Sequence, residues 1–257
     1  MESELRRPSP PLPAHDWALF LDVDGCLLDF APHPSGVIVP AGLQQHILRL
    51  AAKLDGALAL VSGRSLDAID AVFGELRALP AAGMHGLERR ESDGRRTDAP
   101  DAPDSLKTVE AEAQRIAAGY PGAIAERKGP NLALHWRGAP IAQDAFRAFA
   151  AAALRVLPDY RVQGGDHVLE LRPGGATPDK GSAVEGFLAQ PPFRGRTPVF
   201  VGDDLTDEHA FSVVNARSGL SVLVGPRLGS AAGWHLADPA AVRAWIARAV
   251  VPDGVHA

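Results

Sequence analysis

Apolar residues in this chain fall into short unbroken runs, separated by stretches whose apolar positions recur every three or four residues. Runs at Trp17–Leu21, Ala57–Val61, Leu79–Gly83, Thr197–Val201 and Leu220–Val224 have strand length and end in turn signals or acids. That pattern predicts strands buried on both faces of a parallel sheet. Between them, Leu43, Ile47, Leu50 and Leu54 line one helical face after Pro40. Ser65 caps a second helix carrying Leu66, Ile69, Val72 and Phe73, and Lys180 opens another through Val184, Phe187 and Leu188. A helix with Phe211 and a terminal one with Val242, Trp245, Ile246 and Ala249 complete the series. The alternation predicts an α/β fold, a doubly wound parallel sheet with right-handed crossovers.

The pattern changes near Met84. Glu88–Asp98 is polar and holds the hairpin signal Asp93-Gly94. Ala123–Lys128 and Asn131–Arg137 flank Gly129-Pro130, and a further hairpin joins Arg161–Gln163 to His167–Leu171. Helices are expected at about Ser105–Ala118 and Ile141–Leu157. Strands with polar alternate positions and short turns predict an antiparallel sheet with one solvated face. The expected organisation is a Pro-rich disordered arm at 1–14, a discontinuous core at 15–84 and 171–250, and an inserted α+β cap domain at 85–170.

Composition narrows the function. The 257 residues carry a net charge of −5, with no basic footprint for nucleic acid. The first residues lack the apolar segment of a signal peptide, and no apolar run has membrane-spanning length. A single cysteine, Cys26, gives no internal disulfide and no thiolate metal site. A cytoplasmic location is expected.

The chemistry concentrates where two buried runs end in acids: Asp22-Val23-Asp24-Gly25 and Gly202-Asp203-Asp204-Leu205-Thr206-Asp207-Glu208. Ligands of parallel sheets gather at the carboxyl ends of the strands. If these strands are neighbours, Asp22, Asp24 and Asp203 converge, and carboxylates so close need a cation. Hard oxygen donors without nearby His or Cys point to Mg²⁺. Asp22 is positioned as a nucleophile and Asp24 as a proton donor to a leaving oxygen. Ser62 with the backbone of Gly63 and Arg64 forms a candidate phosphate cradle, and Lys180 supplies a counter-charge. Asp203 completes the metal site, with Asp207 holding a metal-bound water or Lys180.

The order Asp-x-Asp-Gly, Ser-Gly-Arg, Lys-Gly, Gly-Asp-Asp-x-Thr-Asp-Glu resembles the haloacid dehalogenase superfamily of aspartate-nucleophile phosphatases. The resemblance implies phosphorylation of Asp22, acid/base work by Asp24, and a metal site of Asp22, Asp24 (through its backbone carbonyl), Asp203 and Asp207. Ala82-Gly83-Met84-His85-Gly86-Leu87-Glu88, Glu126-x-Lys128, Leu134-His135-x-Arg137 and Glu170-Leu171-Arg172-Pro173 resemble the trehalose-6-phosphate phosphatases in particular. That implies hydrolysis of trehalose 6-phosphate in trehalose biosynthesis, with Glu126, Lys128 and Glu170 binding sugar hydroxyls. The implied partner is a small sugar phosphate, with no nucleic acid or membrane, and the expected state is a monomer. Two positions depart from the pattern: Asp166 where the family often has Lys, and Cys26 where Thr is usual. Alternatives are a sucrose-phosphate or mannosyl-3-phosphoglycerate type phosphatase, or a non-catalytic sugar-phosphate-binding protein. His85, His135 and Trp136 read as cap packing or substrate rim, and Trp234 and Trp245 as core.

Overall fold

A computed structural model describes residues 7–30, 36–165, 167–174 and 178–250. The chain divides into two compact units, one of residues up to Thr97 together with those from Pro178 on, the other Asp98–Thr177. Among the described residues, no helix is long and apolar enough to cross a membrane.

The first unit is built on eight strands: β1 (Trp17–Leu21), β2 (Leu58–Val61), β3 (Ala81–Gly83), β4 (Glu88–Arg90), β5 (Arg96–Thr97), β10 (Thr197–Gly202), β11 (Leu220–Val224) and β12 (Trp234–Leu236). Their order in the sheet is β12-β11-β10-β1-β2-β3-β4-β5. The first six are parallel, and β1 pairs with β10 along its whole length, Leu21 facing Val201. All residues of β1 and β2 are buried, as strands covered on both faces must be. Helices α1 (Leu43–Lys53) and α7 (Pro239–Val250) pack side by side, as do α5 (Lys180–Leu188) and α6 (Asp207–Asn215). Helix α2 (Leu66–Val72) starts at Ser65, whose hydroxyl accepts the Ala68 N–H. Phe20, Phe187 and Phe193 stack beneath β1 with centroids 5.2–6.0 Å apart, and such pairs add to the gain from burial alone.

Three expectations are corrected. The polar segment 88–97 does not open the second unit. Strand β4 pairs antiparallel with β3, and the Asp93-Gly94 turn returns β5 alongside it, extending the core sheet. Arg90 there is buried, its Nε donating to the Leu79 carbonyl and its Nη1 to the Asp70 carboxylate. At the other boundary, residues 171–173 belong to the second unit's sheet. The expected disordered arm is also ordered from Arg7 to Ala14. Proline lacks an N–H but keeps an accepting carbonyl, and Pro8 and Pro11 accept from His235 N–H and Trp245 Nε1, while Arg7 donates to Ser230 and Ala232 carbonyls. The rest of that arm, 1–6, lies outside the described residues, as does Asp166.

The second unit holds an antiparallel sheet of β6 (Ile124–Lys128), β7 (Asn131–His135), β8 (Tyr160–Gly165) and β9 (Val168–Pro173), ordered β6-β7-β9-β8. Helices α3 (Ser105–Ala118) and α4 (Gln143–Ala153) complete it. Leu132, Leu134, Leu169 and Leu171 point to one side and share a core with Leu106, Val109 and Phe146 of the helices. By the two-residue period of strands, the intervening polar side chains occupy the other face.

Candidate active site

Because β1 and β10 are neighbours, their carboxyl ends deliver acids to one place. Asp22, Asp203 and Asp207 each offer a carboxylate oxygen, all within 4.8 Å of one another. Two carboxylates at that range repel by roughly 3 kcal/mol at an effective dielectric constant of about 20. Lys180 answers them from the first residue of α5, its Nζ 2.9 Å from Asp22 Oδ1 and 2.7 Å from Asp207 Oδ1. All three groups are buried, with relative exposures of 4 % for Asp22, 2 % for Lys180 and 0 % for Asp207. Helix α5 fixes the lysine through a capping box in which Asp179 accepts the Ser182 N–H and Ser182 Oγ accepts the Asp179 N–H.

One ammonium cannot neutralise three acids. Burial pushes the Asp22 pKa well up, against the opposing pull of Lys180. Burial, then the charges of Asp207 and Asp204, raise Asp203 to about 8. Burial also disfavours the Lys180 ammonium, yet Asp207 and Asp22 outweigh it and hold the lysine protonated. The raised Asp203 pKa marks a shortage of positive charge at the cluster. Asp203 Oδ1 is moreover buried without a hydrogen-bond partner. A cluster of oxygen donors, one of them orphaned and short of positive charge, fits a divalent metal ion. Gly25 permits the close approach: at φ +80°, a Cβ there would meet Asp203 Oδ2 at 2.3 Å.

The predicted residues take different stations. Asp207 is turned inward, its Oδ2 accepting the N–H groups of Asp203 and Asp204, so it shapes the acid loop and anchors Lys180. The Asp24 carboxylate does not join the cluster as expected. The chain leaves strand geometry after Leu21, with Leu27 and Leu28 both donating back to the Val23 carbonyl. Asp24 is thereby turned toward Arg64, which holds it in a two-pronged ion pair at 2.7 Å for each prong. Ser62, 1 % exposed, accepts the Arg64 N–H on its Oγ at 3.1 Å. The Arg64 backbone is therefore engaged, and the Ser62 hydroxyl, the Gly63 N–H and the Arg64 guanidinium are what the segment offers an anion. Glu88 closes the start of α2 by accepting the Leu66 N–H at 2.6 Å. Cys26 is free and buried, donates to the Val201 carbonyl and is kept as a thiol by burial.

Several residues of this site escape a reading of the sequence. Arg227 donates to the carbonyls of both Asp203 and Asp204 at 3.1 Å and pairs with Glu208, bracing the acid loop from the turn after β11. Asp204 Oδ1 accepts the Thr206 N–H and hydroxyl, forming the turn that leads into α6. A lone arginine in a loop carries no local signal of such a partner.

In the second unit, Glu126 faces Ala133, Ala133 faces Glu170, and Glu170 faces Gln163, placing both glutamates on one face of the sheet with a small residue between. Lys128 lies on the same face of β6, its Nζ 3.5 Å from Glu126. His135 Nε2 is 3.3 Å from the same carboxylate, so this histidine pairs with a predicted site residue, while Trp136 is buried in the unit's core. Burial raises the Glu170 pKa despite Lys128 and Arg172. Burial acts on Glu126 too, but hydrogen bonding to His135 and the Lys128 charge bring it down to about 2. A depressed carboxyl pKa contributes stability above its unfolded value, near 4.5, that is lost as pH falls towards 2. The melting temperature of Glu126→Gln is accordingly expected to fall less than the parent's between pH 4.5 and pH 2; parallel curves would contradict this.

The family model described as trehalose-phosphatase matches residues 20–239. The chain belongs to this family. It is 42% identical over 231 residues to the trehalose-6-phosphate phosphatase of Escherichia coli (strain K12), covering 90% of this chain and 85% of that one. The probable trehalose-phosphate phosphatase of Sinorhizobium fredii is 45% identical over 212 residues, covering 82% and 78%. Among solved structures, the C-terminal domain of the C. albicans trehalose-6-phosphate phosphatase superposes with a TM-score of 0.78 at 20% identity, over 92% of each chain. A haloacid dehalogenase-like hydrolase from Bacteroides thetaiotaomicron superposes at 0.64 with 17% identity, covering 90% and 98%. These likenesses are ones of fold, and the fold is the α/β architecture of haloacid dehalogenase-like hydrolases.

Proposed function

We propose that this family member is a Mg²⁺-dependent phosphatase that converts trehalose 6-phosphate to trehalose and phosphate through an aspartyl phosphate on Asp22. The observation that carries the reading is the buried Asp22 carboxylate, held by Lys180 beside an acid cluster that lacks positive charge. Asp22 and Asp203, with the Asp24 backbone carbonyl, would hold the ion, and Asp207 would support them. The bound ion supplies charge neutralisation for the phosphoryl oxygens and for the attacking carboxylate.

The residues of the chain do the rest. Lys180 favours the ionised form of Asp22 against burial and orients it for in-line attack on phosphorus, the step that forms the acyl phosphate and breaks the phosphorus–leaving-oxygen bond. Ser62, Gly63 and Arg64 bind the phosphoryl oxygens. As Arg64 turns from Asp24 to the incoming phosphate, Asp24 loses the ion pair that favours its anionic form, takes up a proton from solvent and donates it to the sugar's leaving oxygen. Asp24 then takes a proton from the water that hydrolyses the acyl phosphate. Glu126, Lys128 and Glu170 supply the charged acceptors and donor that suit sugar hydroxyls. The use of a single cysteine accords with a reducing cytoplasm, and we infer a monomer there.

The test is phosphate release from trehalose 6-phosphate, sucrose 6-phosphate and mannosyl-3-phosphoglycerate, each with Mg²⁺ and with EDTA. At least a tenfold preference in kcat/KM for trehalose 6-phosphate, lost in EDTA, is expected. A smaller preference would overturn the substrate, and undiminished release in EDTA would overturn the metal requirement.

A further inference from the structure

His85 lies in the first unit, on the turn that follows β3, and the reaction outlined above makes no use of it. Met84 and His85 both adopt left-handed backbone, with φ of 47° and 57°, an unfavourable conformation for any residue that carries a Cβ. Neighbouring backbone enforces it. Met84 N–H donates to the Arg64 carbonyl at 2.7 Å and His85 N–H to the Ser62 carbonyl at 2.9 Å, while Ser62 N–H donates to Ala82 at 2.9 Å. The turn is thus laced to the same three residues that offer donors to an anion. The imidazole reaches back over them: a Cβ on Gly63 would lie 2.7 Å from His85 Nε2 and 2.8 Å from its Cε1. The ring fills the space a side chain at 63 would occupy, with a nitrogen as the atom nearest the segment. Strained backbone that its surroundings over-determine clusters at functional sites.

We propose that His85 is a further substrate-binding residue, its Nε2–H donating a hydrogen bond to a phosphoryl oxygen of a phosphate monoester seated on Ser62–Arg64. A neutral imidazole with its proton on Nε2 donates from that nitrogen, and the imidazolium donates from both, so the contact needs no change of its charge. The inference deepens the phosphatase reading and rests on it. The sequence leaves His85 between packing and a place at the substrate rim, and the pairing of β2 with β3 is what brings its ring to Gly63.

The test uses His85→Asn and His85→Gly, two residues that tolerate left-handed backbone, in the full-length chain with Mg²⁺. Inorganic phosphate is the probe, its Kd measured by calorimetry alongside the melting temperature. Both variants should melt at or above the parent's temperature, bind phosphate at least tenfold more weakly, and raise KM for the best sugar phosphate by a similar factor. A phosphate Kd within twofold of the parent's would overturn the assignment. So would weaker binding matched by a lowered melting temperature, the mark of a purely structural role. If the parent turns over no sugar phosphate, the phosphatase reading fails by itself, while the phosphate Kd values still decide His85.

Discussion

Exchanging Asp22 for asparagine is expected to lower phosphate release by a factor on the order of 10⁴ or more, the scale seen when a covalent nucleophile is removed. The amide keeps the shape of the side chain but cannot form the acyl phosphate. Its effect on folding should be small because two changes offset each other. Lys180 loses its partner at 2.9 Å but keeps Asp207 at 2.7 Å, and one of three mutually repelling acids disappears. A melting temperature close to the parent's would mark the loss as chemical. Substantial residual turnover by the variant would remove Asp22 from the reaction.

Lys180→Ala is expected to be costly for both folding and rate. Removing one partner from a buried ion pair costs about 3–5 kcal/mol, and here the ammonium serves two buried carboxylates, Asp22 and Asp207. The catalytic loss should be on the order of 10²–10³-fold, as for other preorganised charges that stabilise a transition state. Thermal melts with and without Mg²⁺ check the first effect, since a cation supplies part of the missing charge and should raise the variant's melting temperature more than the parent's. A variant as stable as the parent without Mg²⁺ would show that Lys180 does not balance the cluster.

Much of the core was readable because buried parallel strands are nearly continuous apolar runs. Trp17–Leu21 and Thr197–Val201 appear in the structure as adjacent strands, and Asp22 and Asp203 come together because of that pairing. Strand period failed one step later, at Asp24, where the turn back onto Val23 redirects the side chain to Arg64. The β4–β5 hairpin was misplaced because Glu88–Arg90 and Arg96–Thr97 are polar, as an edge may be, and its position depends on pairing with β3. The Pro-rich arm looked disordered because its bonds, Pro11 accepting from Trp245 and Arg7 donating to Ala232, reach partners more than 200 residues away, which composition does not reveal. Arg227 braces the acid loop for the same reason. It reaches that loop through partners more than 15 residues away in sequence, so no local spacing announces it.

The most direct test of a covalent phosphatase built around the first acid is mass spectrometry of protein quenched in acid during turnover of trehalose 6-phosphate with Mg²⁺. One phosphoryl group on the Asp22 carboxylate is expected, absent from Asp22→Asn and absent when substrate is omitted. Turnover with no phosphoryl group on the protein, or with the group on another residue, would contradict it.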